Sequence, residues 1–113
     1  MTSAEVEAVQ ALARMSRVLE RATGDLNLAQ YRVLSAVAAG HARASRVASR
    51  LALGRPTVSA SVESLCRRRL LERERTAEDQ RGFTLTVTPA GAALLEEIEA
   101  EMATRLRHLT ART

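Results

Sequence analysis

The chain has 113 residues, a length typical of one domain. Apolar residues make up 46%, but the only aromatics are Tyr31 and Phe83, so the core must be aliphatic. No apolar run approaches the length of a membrane span, and the N-terminal residues lack the pattern of a signal peptide. The single cysteine, Cys66, excludes an internal disulfide. These features predict a cytoplasmic protein with no membrane segment.

The net charge is +4, and it is unevenly distributed. Residues 41–83 contain ten arginines and five acids, whereas the rest of the chain contains seven arginines and eight acids. A basic middle segment is the expected electrostatic footprint of a nucleic-acid surface. The alternative interpretation is an Arg-rich face that is simply solvated.

A long amphipathic helix is predicted first. Thr2 and Glu5 form a capping-box pattern, and residues 23–25, Thr-Gly-Asp, end the helix. Its apolar stripe needs a partner surface, either the C-terminal helix or a second subunit. The stripe consists of Val6, Val9, Leu12, Met15, Val18 and Leu19.

Three shorter helices follow in the sequence. Asn27 is a candidate cap for the second helix, which ends at Gly40, and Ser45 is a candidate cap for a short third helix. After a tight turn at 53–54, the stretch 55–70 predicts a fourth helix. Two short helices joined by so short a turn are typical of a helix-turn-helix.

The fourth helix is predicted to carry two different faces. Pro56 suits the first helical turn, and an apolar stripe formed by Val58, Val62 and Leu65 predicts the side that docks on the core. The other face is small and hydroxylic, without a long acid that would repel phosphate. It comprises Thr57, Ala60, Ser61 and Ser64.

The segments LLERER and FTLTVT predict two strands, and the polar TAEDQRG between them predicts an exposed turn. A hairpin directly after a helix-turn-helix is a wing. Thr88 then caps a last helix with Pro89 at its first position. The apolar stripe of that helix is Leu94, Leu95, Ile98, Met102, Leu106 and Leu109. No linker or repeat interrupts the chain, so we expect one domain over 1–113, with a core of about 26–89.

This order of elements resembles the MarR family of bacterial winged helix-turn-helix regulators. The matching segments are LNLAQYRVLSAVA, SRVASRLALGRPTVSASVESL and LLERERTAEDQRGFTLTVTPAGAALL. The resemblance implies a mainly α fold with a small β-hairpin wing (α+β). It further implies a homodimeric regulator, most often a repressor, that binds pseudo-palindromic operators in double-stranded DNA.

The resemblance also implies roles for individual residues. The recognition helix enters the major groove, Arg81 at the wing tip enters the minor groove, and Asp79 orients the wing. The minor groove concentrates negative potential, which suits a planar cation. The DNA contacts expected here are Ser45, Arg55, Pro56, Thr57, Ala60, Ser61, Ser64, Arg68 and Arg81.

Four departures from the family pattern change these expectations. Ala60 stands where the family often has Arg, which removes one direct contact. Arg69 replaces a frequent Gly before the wing, and Thr76 replaces a common Asp. The chain ends at Thr113 without room for the usual sixth helix, so the first and fifth helices are expected to form the dimer. A charge at Val9 or Ile98 is then expected to favour the monomer.

Many MarR-family members release DNA when a small lipophilic or phenolic effector binds in a cleft beside the dimer helices. The corresponding residues here are Met15, Leu19, Tyr31, Leu34 and Met102. The sequence favours the alternative that these five side chains simply form aliphatic core.

Other chemistry has little support in the sequence. Cys66 is interpreted as a small, partly buried side chain and not as a redox sensor. No motif or spacing indicates a metal site, a cofactor or a catalytic residue, so we predict no enzyme. The competing functional class is a winged-helix interaction module that pairs with a larger regulator and does not read DNA. Ala60 and the short C-terminus favour that class, whereas Arg81 and the basic middle segment disfavour it.

Overall fold

A computed structural model describes residues 1–24, 26–40, 43–75 and 84–110, without the side chains at 22, 44, 45, 109 and 110. Five helices and a two-stranded sheet occur in this part of the chain. In order they are α1 (Ser3–Ala22), α2 (Leu28–Ala38), α3 (Ala44–Leu51), α4 (Arg55–Arg67), β1 (Leu71–Glu74), β2 (Thr84–Val87) and α5 (Pro89–Thr110). The fold is therefore mainly α with a β-hairpin, as the sequence predicts.

The first two helices begin with capping boxes. The Glu5 amide donates to Thr2 Oγ1 at 3.1 Å, and the Glu5 carboxylate accepts from the Thr2 amide. At the start of α2, the Gln30 amide donates to Asn27 Oδ1 at 2.8 Å, and Gln30 Oε1 accepts from the Asn27 amide at 2.9 Å. Each box satisfies two backbone donors that have no partner within the helix. Both predicted caps, Thr2 and Asn27, are confirmed.

The predicted cap of α3 is wrong. The N-cap is Arg43, whose side chain makes no capping bond, and Ser45 lies inside the first turn of the helix. The Arg43 backbone instead forms an isolated antiparallel bridge to Thr84 of β2. This bridge places the start of α3 at the sheet and so fixes its first turn without a hydroxyl cap.

The core lies where α2, α3 and α4 meet beneath the hairpin. On α4, Val58, Val62 and Leu65 are all buried, which confirms the predicted apolar stripe. They pack in one cluster with Val33 and Leu34 of α2, both without exposed surface. The remaining buried members are aliphatic, as the scarcity of aromatics requires: Leu26, Ala36, Val37, Val47, Ala48, Leu70, Leu71, Leu85, Leu95 and Ile98.

The junction between α4 and β1 is a Schellman motif. The Leu70 amide donates to the Leu65 carbonyl at 2.9 Å, and the Arg69 amide donates to the Cys66 carbonyl at 3.0 Å. This geometry requires a left-handed residue, and Arg69 adopts it with φ 60°. Arg69 therefore holds a left-handed backbone position that favours Gly, and its side chain is strained by it.

The hairpin and α5 are joined at the same junction. In the antiparallel register, Leu71 opposes Val87 and Glu74 opposes Thr84. Thr88 Oγ1 accepts from the Gly91 amide at 3.0 Å and donates to the Arg69 carbonyl at 2.7 Å. The predicted cap of α5 is thus confirmed, and it also binds the end of α4.

The apolar stripe of α1 remains largely uncovered, whereas in the described stripe of α5 only Leu106 is exposed. Val9 is 59% exposed and Leu12 is 65% exposed, whereas Ile98 is only 2% exposed and belongs to the core. The expectation that a charge at Ile98 would act on a dimer is therefore wrong, because that side chain packs inside its own subunit. Within the described residues, no helix is long and apolar enough to cross a membrane.

Candidate nucleic-acid interface

The N-terminal half of α4 presents an exposed polar surface. Arg55, Pro56, Thr57 and Ala60 are all exposed, and the backbone donors of the first turn lie beside them. A shallow depression of about 370 Å³ separates this half of α4 from the start of α2. Its lining consists of small or neutral polar side chains: Asn27, Ala29, Gln30, Pro56, Thr57, Ala60 and Ser61. None of these carries a negative charge, so the surface is compatible with an approaching phosphate backbone.

The structure does not place the four predicted small residues on one exposed face. Ser61 is only 5% exposed. It lies three residues after Val58 and four before Leu65, so it shares the buried side of the helix. Ser64 is half-buried, and its hydroxyl accepts a hydrogen bond from Gln30 at 3.0 Å. Ser61 lines the depression beside Thr57 but has almost no exposed surface, so the predicted exposed polar face does not include it.

Exposed arginines are frequent between α3 and the hairpin in the described part of the chain. Arg68 and Arg69 follow α4, where cations interact favourably with the helix dipole. The other exposed arginines come from the start of α3 to the end of β1: Arg43, Arg46, Arg50, Arg55, Arg67, Arg73 and Arg75. The exposed acids over the same stretch are Glu63, Glu72 and Glu74. The local excess of positive charge therefore lies on the helix-turn-helix and the hairpin base.

Two predicted residues of the interface lie outside the described residues, and a third is described by its backbone alone. Arg81 and Asp79 lie in 76–83, outside the described residues, as does Thr76. Ser45 is placed by its backbone in α3, but its side chain is not described. Their expected roles toward DNA therefore remain predictions from the family resemblance.

Two side chains of α2 that the sequence analysis missed hold the helix-turn-helix. Gln30 donates through Nε2 to Ser64 on α4, and Arg32 donates through Nη2 to the Leu51 carbonyl at 2.9 Å. The second bond caps the last turn of α3 with a cation. The Asn-x-x-Gln capping pattern could have identified Gln30 in the sequence, but its contact with a residue 34 positions away could not be read there.

The cleft predicted for an effector is only partly assembled. Met15, Leu19 and Met102 line an apolar groove of about 480 Å³ between α1 and α5. Leu34 does not line it, because that side chain is fully buried in the core. Tyr31 packs against the core, and burial, then the nearby Glu99 carboxylate, raise the pKa of its phenol, partly offset by a hydrogen bond with Ser35.

Comparison with solved structures shows the same fold in DNA-binding and ligand-binding proteins. A Staphylococcus aureus MepR mutant bound to an oligodeoxyribonucleotide superposes with a TM-score of 0.80 at 19% identity, covering 100% of this chain and 86% of that one. Streptomyces coelicolor PcaV in complex with its natural ligand superposes with a TM-score of 0.78 at 25% identity, covering 94% of this chain and 77% of that one. Bordetella bronchiseptica BpsR, whose DNA binding is regulated by 6-hydroxynicotinic acid, superposes with a TM-score of 0.75 at 28% identity, covering 96% of this chain and 84% of that one.

A family model assigns the sequence to the same group of proteins, although no single curated protein matches this chain. A family model described as the MarR family matches residues 24–82, which run from the end of α1 through the helix-turn-helix and into the hairpin. The matched segment contains α2, α3, α4 and β1, and the overall fold agrees with it. The chain belongs to the MarR family of winged helix-turn-helix transcriptional regulators.

Proposed function

We propose that this protein is a homodimeric transcriptional repressor that binds a pseudo-palindromic operator in double-stranded DNA. In this proposal the N-terminal half of α4 enters the major groove, and Arg81 on the hairpin enters the adjacent minor groove. Each subunit of the dimer contacts one half-site, so the symmetry of the operator follows the symmetry of the protein.

The observation that carries this proposal is the surface of α4 from Arg55 to Ala60. It is exposed, free of acids and backed by a buried apolar stripe, and the segment from α3 to the hairpin carries an excess of exposed arginines over acids. Phosphate contacts from such cations supply affinity, while the small side chains of α4 allow its backbone to approach the bases closely. Thr57 is an exposed hydroxyl that lines the depression on this surface and is proposed to contact a base edge, and Ala60 offers only a methyl contact, which suits thymine.

Dimerisation through α1 and α5 is supported by their uncovered apolar side chains. Val9 and Leu12 are more than half exposed, and Met15 and Leu106 are each about two-fifths exposed. Monomeric proteins rarely present several large apolar side chains along one continuous face. A second copy of the chain, docked about a twofold axis, would cover this face in both subunits.

A small lipophilic or phenolic effector is proposed to bind in the α1–α5 groove, at the proposed dimer interface with which the groove shares Leu12, Met15 and Leu106, and to release the DNA. The groove is apolar, with Glu99 as its one charged lining residue among those described. The complex of PcaV with its natural ligand, and the regulation of BpsR DNA binding by 6-hydroxynicotinic acid, support this kind of regulation for a protein of the same fold at 25% and 28% identity. An effector that prefers one dimer geometry would shift the separation of the two α4 helices.

Binding to the DNA upstream of the protein's own gene tests the proposal. We expect a gel shift that survives excess random duplex, with two protomers in each complex. Arg81→Ala should weaken binding by about 1–3 kcal/mol and act most strongly on A·T-rich flanks. Thr57→Val should change base preference and lose less general affinity. Equal binding of operator and random duplex by the unaltered protein would refute the proposal and favour an interaction module.

A further inference from the structure

Gln30 is held in one orientation by its own helix. Its Oε1 accepts from the Asn27 amide at 2.9 Å, so the side-chain amide cannot rotate without breaking the capping box of α2. The Nε2 group then points outward from α2 and donates to Ser64 Oγ at 3.0 Å. The amide oxygen is therefore hydrogen-bonded within α2, and the amide nitrogen is hydrogen-bonded to α4.

The other contacts that hold α4 on the core are mostly apolar and therefore non-directional. Val58, Val62 and Leu65 resist removal of the helix from the core, but apolar packing resists a small rotation of the helix less strongly than a directional bond. The Gln30–Ser64 hydrogen bond is such a bond, and it is partly buried, where water competes less effectively for both groups.

Ser64 lies seven residues after Thr57, which is almost two full helical turns. The two side chains therefore share one side of α4, separated by about 10 Å along its axis. A rotation of about 10° moves an atom at the helix surface by about 1 Å, enough to lengthen a base contact beyond hydrogen-bonding distance. Fixing Ser64 thus fixes the direction in which Thr57 faces the DNA.

We propose that Gln30 is a specificity-determining positioning residue, which acts through Ser64 to set the rotation of the recognition helix. Ser64 is then a part of this support and not itself a DNA contact. The proposal rests on the DNA-reading function proposed above and adds to it a residue of α2 that does not touch a base.

A double-mutant cycle tests this role. A duplex selected from a randomised library by the unaltered protein and a scrambled duplex of equal composition serve as probes. Ser64→Ala leaves the capping box intact, and we expect it to lower the selected-to-scrambled affinity ratio about three- to tenfold, as expected for one hydrogen bond. Gln30→Ala should lower the ratio by at least as much, and the double variant should lose no more than Gln30→Ala alone.

Two further variants separate positioning from stability and from direct contact. Ser64→Thr keeps an acceptor hydroxyl and should retain most of the ratio. Gln10→Ala removes an exposed glutamine of α1 and should leave the ratio unchanged. Lost stability would lower the affinities for the selected and the scrambled duplex in parallel and leave their ratio unchanged, and thermal unfolding of each variant measures such a loss directly.

The outcomes distinguish the two proposals. Additive losses from Gln30→Ala and Ser64→Ala, with a high ratio for the unaltered protein, would overturn the positioning role and assign Ser64 to the DNA. A ratio near one for the unaltered protein would overturn the DNA-reading function and this inference with it. Non-additive losses in the ratio, at unchanged scrambled-duplex affinity, would support it.

Discussion

The left-handed backbone at Arg69 provides the sharpest test of how the recognition helix is joined to the hairpin. Arg69 has φ 60°, while its neighbour Arg68 has φ −83°. Both side chains are exposed arginines, so replacing either removes one cation near the end of α4. The two positions therefore form a matched pair that differs mainly in backbone conformation.

At position 69 we expect the Gly variant to be more stable than the Ala variant. An L-residue in the left-handed region costs roughly 1–2 kcal/mol, and the greater flexibility of Gly in the unfolded chain offsets about 0.5–1 kcal/mol of that. The expected difference between Arg69→Gly and Arg69→Ala is therefore about 0.5–1 kcal/mol, or a few degrees in Tm. At position 68 the order should reverse, because Ala is favoured over Gly there.

Urea unfolding of the four variants at one protein concentration measures these differences. The fixed concentration matters because association would otherwise contribute to the apparent stability. Two results would refute strain at the Schellman junction. One is equal stability of Arg69→Gly and Arg69→Ala, and the other is the same more stable variant, Gly or Ala, at both positions.

Three other predictions concern separate parts of the molecule. Gly91→Ala should destabilise the fold by about 2 kcal/mol, since a Cβ there would overlap the Leu70 carbonyl oxygen; an unchanged urea midpoint would contradict that packing. Leu12→Glu should raise the dimer dissociation constant, measured by sedimentation, at least about tenfold. If the unaltered protein sediments as a monomer at micromolar concentration, dimerisation through α1 and α5 is contradicted. Cys66→Ser should leave DNA affinity the same in peroxide as in reductant; a peroxide-induced loss only in the unaltered protein would reveal a switch.

Elements with local signals were well predicted from the sequence. Capping at Thr2, Asn27 and Thr88 depends on residues within three positions of the helix start, so their sequence patterns were sufficient. The apolar stripe of α4 was predicted by its period alone. In each case the residues that give the signal lie within one short segment.

Features that depend on tertiary contacts could not be predicted in this way. Ser45 has the chemistry of a cap, but the bridge between Arg43 and Thr84 fixes the start of α3 at an earlier residue. The burial of Ser61 is a different case, because its spacing from Val58 and Leu65 within α4 already places it on the buried side of the helix. The contact of Gln30 with Ser64 joins two helices distant in sequence, which the spacing of residues within either helix does not indicate.

The central claim is that this protein reads DNA sequence through α4. Its most direct test is the ratio of dissociation constants for scrambled and library-selected duplexes, measured over a range of salt concentrations with the unaltered protein. The account predicts that both affinities fall with increasing salt, as cation–phosphate contacts require, and that the selected duplex binds at least about 10³-fold more tightly at physiological salt. Salt-dependent binding with equal affinity for the two duplexes would contradict it.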